Sequence, residues 1–305
     1  MTVKKRWIEP PLLKKGDRIG VVAPAGPVDP GTLDKGLGVL RQMGFEPVPG
    51  QFVRKRSGFL AGSDKERALD LMAMFCDPDI HGIVCARGGY GVNRVLSSLK
   101  ADVIRKNAKV VVGCSDVTLL LIYLNQMCRT VAYHGPLAAA SFGCHPMALS
   151  KIQFVRMLTE GQEPASFKDP KSRTLFGGTA EGRLAGGNLT LMCRSLGTPY
   201  EIETRGSLLL IEDVNEPAYK VDGMLWQLGQ AGKFKGVKGL IVGEMIDCRF
   251  NKGQKGNLDD VFRDHFEKLK IPVMVNCPIG HGPEIWTLPV GRKASLDTGK
   301  RTLVV

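Results

Sequence analysis

The sequence predicts an α/β protein of two domains, and three observations carry that prediction. Short β-branched runs alternate with amphipathic stretches through the first half, separated by short loops. This is the pattern of a parallel sheet with helices on both faces. The pattern then loosens around Cys144–Ser172, where Gly161, Pro164 and Pro170 fall among charges and no strong strand is visible, as at a domain boundary. Beyond it strands and helices resume, and 305 residues with 43% hydrophobic content suffice for two cores. The expected domains are 1–165 and 166–305.

The elements follow in order. Asp17–Ala23, DRIGVVA, is a strand that ends in the turn Pro24–Pro27. Leu33–Met43 repeats apolar residues at helical spacing and is closed by Gly44. Phe45–Val48 is extended, and Asp64–Phe75 is a helix capped by Ser63 or Asp64 with Lys65 and Arg67 on its wet face. Gly82–Ala86 is a strand leading into Arg87–Gly91 and a helix from Asn93 to Leu99. Val110–Val112 is a β-branched run typical of a strand buried on both faces, and a helix follows Ser115. In such a sheet functional loops gather at the carboxyl ends of the strands, here Pro24–Pro27, Arg87–Gly91 and Gly113–Asp116. In the second half, Gly182–Gly187 leads into Asn188–Leu196, which is closed by Gly197. Ser207–Ile211 is a strand running into Glu212 and Asp213, Val221–Leu228 a helix, and Gly239–Val242 a strand. Leu258–Leu269 is a helix, Pro272–Val275 a strand, and the tail Trp286–Val305 a hairpin or meander turning at Asp297-Thr298-Gly299.

Composition narrows the class. No run approaches the roughly 18 apolar residues of a membrane span, and the N-terminus lacks the apolar core of a signal peptide. Eight cysteines are scattered without a Cys-x-x-Cys pair, mostly in apolar runs, which points to reduced thiols in a cytoplasm and to no metal site. The net charge of +12 is high, but the basic residues form short groups (Lys4–Arg6, Arg54–Arg56, Lys233–Lys238) without a nucleic-acid-reading motif. A basic chain also attracts small anionic substrates.

Ser115 stands where a strand turns into a helix. Such a turn thrusts one side chain out of the sheet and points backbone N–H groups at whatever reacts with it. The alternative is a plain N-cap with Asp116 in the first turn, since Val117 replaces the second Gly of a Gly-x-Ser-x-Gly elbow. A nucleophilic Ser needs a base, and the base an orienting acceptor. Of five histidines, His265 lies on a polar helix face and reads as solvated, His81 reads as surface and His145 as an ordinary loop residue. His134 competes with His281, which sits between two glycines after the strand PVMVN. Glu212, at a strand end, is the best-placed carboxylate, with Asp213 and Glu216 close behind. The alternative makes these acids a helix-entry cluster. Arg87–Gly91 is not a phosphate loop of the Gly-x-Gly-x-x-Gly type, because Arg94 takes the last position.

DRIGVVAPAGPV, CARGGYGVNRVL, VVGCSDVTLLL, YHGPL, GRLAGGNLTLM, LLLIEDVNEPAYKVDGML and PIGHGPEIWTLPVG occur in this order and span nearly the whole chain. In this it resembles the LD-carboxypeptidases of the S66 serine peptidase type, which include muramoyltetrapeptide carboxypeptidase. The resemblance implies Ser115 as nucleophile, Glu212 as orienting carboxylate and His281 as general base, without metal or cofactor. The N–H groups of Asp116 and Gly89 would form the oxyanion hole. It also implies an amidotransferase-like (flavodoxin-like) first domain and a smaller swivelling β/α second domain, with the active site in the cleft between them.

The activity so implied is a cytoplasmic serine carboxypeptidase, expected as a homodimer, that removes the terminal D-Ala of murein tetrapeptides. Neither nucleic acid nor membrane is an expected partner. Arg87 and the backbone N–H groups near Asn188 are the candidates for binding the substrate carboxylate. One rival is a hydrolase similar to the microcin C self-immunity branch, cleaving peptidyl or aminoacyl nucleotides; Trp226 and Trp286 are its candidate base platforms. Another is a non-catalytic amidotransferase-like module that binds anionic ligands.

Overall fold

The β-branched runs of the first half are buried on every residue, as expected of strands with helices on both faces. The structure is a computed structural model describing residues 6–160 and 165–305. Lys4 and Lys5 of the first basic group, and Gly161 and Pro164 of the boundary stretch, lie outside the described residues. The chain divides into one unit of Met1–Gln162 with Trp286–Gly291, and another of Glu163–Ile285 with Arg292–Val305.

In the first unit the elements are β1 (Arg18–Val22), α1 (Pro30–Gln42), β2 (Glu46–Pro49), α2 (Asp64–Cys76), β3 (Gly82–Cys85), α3 (Val92–Val95), α4 (Ala101–Lys106), β4 (Val110–Gly113), α5 (Thr118–Gln126), β5 (Ala132–His134) and α6 (Ala148–Thr159). Neighbouring strands pair in parallel in the order β5-β4-β3-β1-β2, and the short strand Leu288–Val290 joins β5 antiparallel. That strand departs from the single cut near 165, since the tail returns to the first sheet before completing the second. The side chains of α5 are buried from Thr118 to Asn125. A helix apolar all round has no wet face to offer and is a core helix. Ser63 caps α2 in a reciprocal box with Glu66. Arg67, expected on the wet face, is instead 1% exposed: its Nη1 donates to two backbone carbonyls and its Nη2 to Asp64, while its buried Nε has no hydrogen-bond partner among the described residues.

The second unit contains β6 (Ser166–Lys168), β7 (Arg173–Phe176), β8 (Thr179–Asn188), α7 (Leu189–Ser195), β9 (Ser207–Glu212), α8 (Ala218–Gln230), β10 (Gly239–Gly243), α9 (Leu258–Phe266) and β11 (Val273–Cys277). After β12, the Leu288–Val290 strand of the first sheet, come β13 (Lys293–Asp297) and β14 (Thr302–Val304). The sheet order is β6-β14-β13-β8-β9-β10-β11-β7, and β8 to β11 run parallel. In the tail, expected as a hairpin or meander, β13 and β14 form a hairpin that turns after Asp297. Asn188, Glu212, Gly243 and Cys277 stand in register across the carboxyl ends of the four parallel strands.

Candidate active site

Ser115 belongs to the first unit, and Glu212 and His281 belong to the second. β4 runs into Gly113, where a Cβ would meet Val117 Cγ1 at 2.6 Å, so only glycine allows so tight an exit from the strand. Cys114, not Ser115, takes the cap position and gives no side-chain cap. Ser115 follows with φ 60, a left-handed conformation that costs a residue with a Cβ about 1–2 kcal/mol. The plain N-cap reading of Ser115 therefore fails: the side chain is held out by a strained turn and caps nothing.

The Arg87–Gly91 turn is pressed against it. A Cβ built on Gly88 would lie 2.6 Å from both Cβ and Oγ of Ser115 and 3.3 Å from the Asp116 nitrogen. Gly89, with φ 109, packs on Gly26 instead. The Gly88 carbonyl accepts from the Gly26 N–H at 3.1 Å, and Arg87 Nη1 donates to the Pro27 carbonyl at 2.9 Å. Asp116 is fully buried, and its Oδ2 accepts from the Val92 N–H at 2.8 Å. Of the predicted carboxyl-end loops, 87–91 thus packs on Ser115, and 24–27 packs on 87–91.

In the second unit β9 delivers Glu212 fully buried, and its Oε2 lies 2.8 Å from Nδ1 of His281. A carboxylate only accepts, so Nδ1 carries the hydrogen and Nε2 is left with a lone pair. Glycines make room for the pair. A Cβ at Gly280 would stand 2.2 Å from Glu212 Oε2, and one at Gly243 would stand 2.8 Å from Glu212 Cβ. Burial pulls the His281 pKa down, but the Glu212 hydrogen bond and the charges of Glu212 and Asp213 outweigh it, so the net direction is up.

Asp213 points away from this pair and accepts from Asn188 Nδ2 at 3.0 Å, the Thr190 N–H at 2.9 Å, the Thr190 hydroxyl at 2.8 Å and the Val214 N–H at 2.9 Å. Burial raises its pKa against those bonds. Asn188 caps α7 by accepting from the Leu191 N–H. The N–H groups of Thr190 and Leu191, candidates for a substrate carboxylate, are thus engaged at that helix start. Glu216 pairs with Lys220 at 3.6 Å.

The other histidines sort by their partners. His265, expected to be solvated, lies 2.8 Å from Asp222 with a side chain 17% exposed. His81 lies beside Asp17, His145 is exposed, and His134 is buried at the end of β5. Trp286 is buried and Trp226 is exposed on α8. Sequence reasoning missed the burial of Arg67 and the approach of Glu244 to Gly282. A Cβ at Gly282 would strike Glu244 Oε2, so the glycine pair flanking His281 was the available signal for that carboxylate. The eight cysteines are unbridged, and burial pushes the Cys85 and Cys277 thiols up to about 12. No helix among the described residues is long and apolar enough to cross a membrane.

Comparison with known proteins adds the family. Residues 19–135 match the LD-carboxypeptidase N-terminal domain and residues 181–296 the LD-carboxypeptidase C-terminal domain. The chain is 36% identical to the probable murein peptide carboxypeptidase of Bacillus subtilis, over 97% of this chain and 94% of that protein. The structure of MccF with glutamyl sulfamoyl guanosine superposes with a TM-score of 0.92 at 25% identity, covering 97% of each chain; MccF is a microcin C7 self-immunity protein of Escherichia coli. Muramoyltetrapeptide carboxypeptidase from Oxalobacter formigenes superposes with a TM-score of 0.84 at 29% identity, covering 94% of this chain and 97% of that one. With both family regions present in order and a relative 36% identical over 97% of this chain, the chain belongs to the LD-carboxypeptidase family.

Proposed function

We propose that this protein is a serine carboxypeptidase that hydrolyses the L,D-peptide bond to the terminal D-Ala of murein tetrapeptides, in the cytoplasm and as a homodimer. The observation that carries the chemistry is the 2.8 Å contact between His281 Nδ1 and the buried Glu212 carboxylate. It leaves Nε2 of His281 as a base, and the positive φ of Ser115 supports its reading as the nucleophile.

Ser115 Oγ attacks the scissile carbonyl as His281 Nε2 takes its proton, and Glu212 holds the imidazolium. The oxyanion accepts from the N–H groups of Asp116 and Gly89. The tetrahedral adduct collapses, His281 gives the proton to the leaving amine, and D-Ala departs. Water then attacks the acyl-enzyme by the same proton path, releasing the tripeptide acid and restoring Ser115. Arg87, whose buried Nε has no hydrogen-bond partner among the described residues, is the candidate for the terminal carboxylate.

The likeness to the MccF complex favours a second reading, in which the same residues cleave an aminoacyl or peptidyl nucleotide. Mass spectrometry of purified protein with murein tri-, tetra- and pentapeptides and an aminoacyl sulfamoyl nucleoside separates the two. Conversion of tetrapeptide to tripeptide is expected. Cleavage of the nucleoside conjugate with every murein peptide untouched would replace the first reading by the second.

A further inference from the structure

Among the largest fully buried side chains is a charged one, Arg67. It leaves the first turn of α2 and enters the carboxyl-end loops of the first sheet. Its Nη1 donates to two carbonyls, Pro24 and, at 2.8 Å, Gly91; its Nη2 donates to Asp64 Oδ1. Pro24 opens the 24–27 turn and Gly91 closes the 87–91 turn, so one planar guanidinium joins both. Gly91 has φ 131, and a Cβ there would stand 2.7 Å from Arg67 Nη1, so the backbone is shaped around the cation.

The same two turns carry the contacts that reach Ser115. Gly26 N–H holds the Gly88 carbonyl at 3.1 Å, Gly88 packs on Ser115, and Asp116 Oδ2 holds the Val92 N–H at 2.8 Å. The 87–91 turn is therefore fixed at its far end by Arg67 and Asp116 and at its near end by Gly26. Taking a guanidinium out of water costs several kcal/mol before its partners compensate, and an apolar side chain would fill the volume at less cost. An apolar side chain would take the donor from the Pro24 carbonyl, leave that of Gly91 with the Arg94 N–H at 3.1 Å alone, and leave the spacing of the turns unset.

We propose that Arg67 is a positioning residue of the reaction centre: by bonding the Pro24 and Gly91 carbonyls at once, it sets the 87–91 turn against Ser115 and so places the backbone donors that receive the oxyanion. This rests on the reading of Ser115 as nucleophile. Lysine cannot replace it, because an ammonium lacks the rigid fork that serves several acceptors in one plane.

The test uses Arg67→Ala and Arg67→Lys in the full chain. Three readings are taken: kcat and KM on murein tetrapeptide, the labelling rate of Ser115 by a fluorophosphonate, and the thermal midpoint. Labelling also builds negative charge at the donors but needs no peptide, so a wild type that labels without cleaving tetrapeptide refutes the substrate reading alone. In Arg67→Ala, kcat and the labelling rate should fall by about 10²-fold, the scale of a lost oxyanion donor, with KM within about threefold. Guanidinium chloride at non-denaturing concentration should restore at least about tenfold of the labelling rate, whereas equal sodium chloride or urea should not. Should Arg67→Ala fail to fold, Arg67→Lys gives the same readings and should fall in the same direction. Wild-type labelling and kcat in a folded variant would overturn the proposal. So would a loss that tracks only the unfolded fraction and is deaf to guanidinium.

Discussion

The Nδ1 of His281 lies 2.8 Å from Oε2 of Glu212, a carboxylate with no solvent exposure at the end of β9. The contact fixes one imidazole tautomer and makes the ring easier to protonate. Glu212→Gln keeps the shape of the side chain but loses its charge, and it should lower kcat by roughly 10²–10⁴-fold with little change in KM. If Glu216→Gln were the severe variant and Glu212→Gln the mild one, the carboxylate role would move to Glu216.

The pH profile follows from the same pair. A general base works in its neutral form, and the net shift of His281 is upward. The acid limb of kcat/KM should therefore rise with pH through an apparent pKa above the ordinary histidine value of about 6.5. In Glu212→Gln the charge and the acceptor carboxylate are gone while the desolvation remains, so the limb should move to lower pH. A limb that stays in place in that variant would show that another group titrates.

Ser115 pays for its position in backbone strain, with φ 60. Ser115→Ala keeps the Cβ and the strain, and Ser115→Gly relieves it. Both should lose about 10³-fold or more in kcat. Ser115→Gly should be more stable than Ser115→Ala by about 1 kcal/mol, read from denaturant midpoints. Equal midpoints would mean that the turn is not strained.

Gly88→Ala introduces a Cβ 2.6 Å from Ser115 Oγ. It should abolish fluorophosphonate labelling while leaving the far-ultraviolet circular dichroism unchanged. Labelling at the wild-type rate would mean that the turn can retreat from Ser115 at no cost to its chemistry.

Asp213 accepts from Asn188, Thr190 and Val214 and is 4% exposed. An amide in its place accepts through one oxygen only. Asp213→Asn should thus lower stability by about 1–3 kcal/mol, with kcat of the folded fraction changed by about tenfold or less. A catalytic collapse without loss of stability would reassign it to the chemistry.

The order of strands and helices in the first unit was legible because runs such as Val110–Val112 allow no other burial. The Ser, Glu and His candidates were legible because each stands at a strand end or beside glycines. Other elements were hidden for physical reasons. α4 is six residues long with a single buried apolar side chain, Ile104, too little for a period. α6 follows a Gly-Cys-His-Pro stretch that reads as loop. β8 is partly disguised by its glycines, yet a Cβ at Gly182 or Gly186 would strike the backbone of β9 or of the turn before it. Arg67 was misread because α2 opens on the charged run Asp64–Arg67, where burial by carbonyl acceptors leaves no trace in hydropathy.

The return of Leu288–Val290 to the first sheet has a consequence for synthesis. A chain emerging from the ribosome completes β1 to β5 early, but the hydrogen-bonding edge of β5 stays open until residue 290 is made. An open strand edge is a template for pairing with other chains. A fragment cut at residue 165 would keep that edge for good, so the unit that carries Ser115 is not available as a simple N-terminal half. Fusing residues 286–291 back onto such a fragment, through a flexible linker, is the direct way to close it.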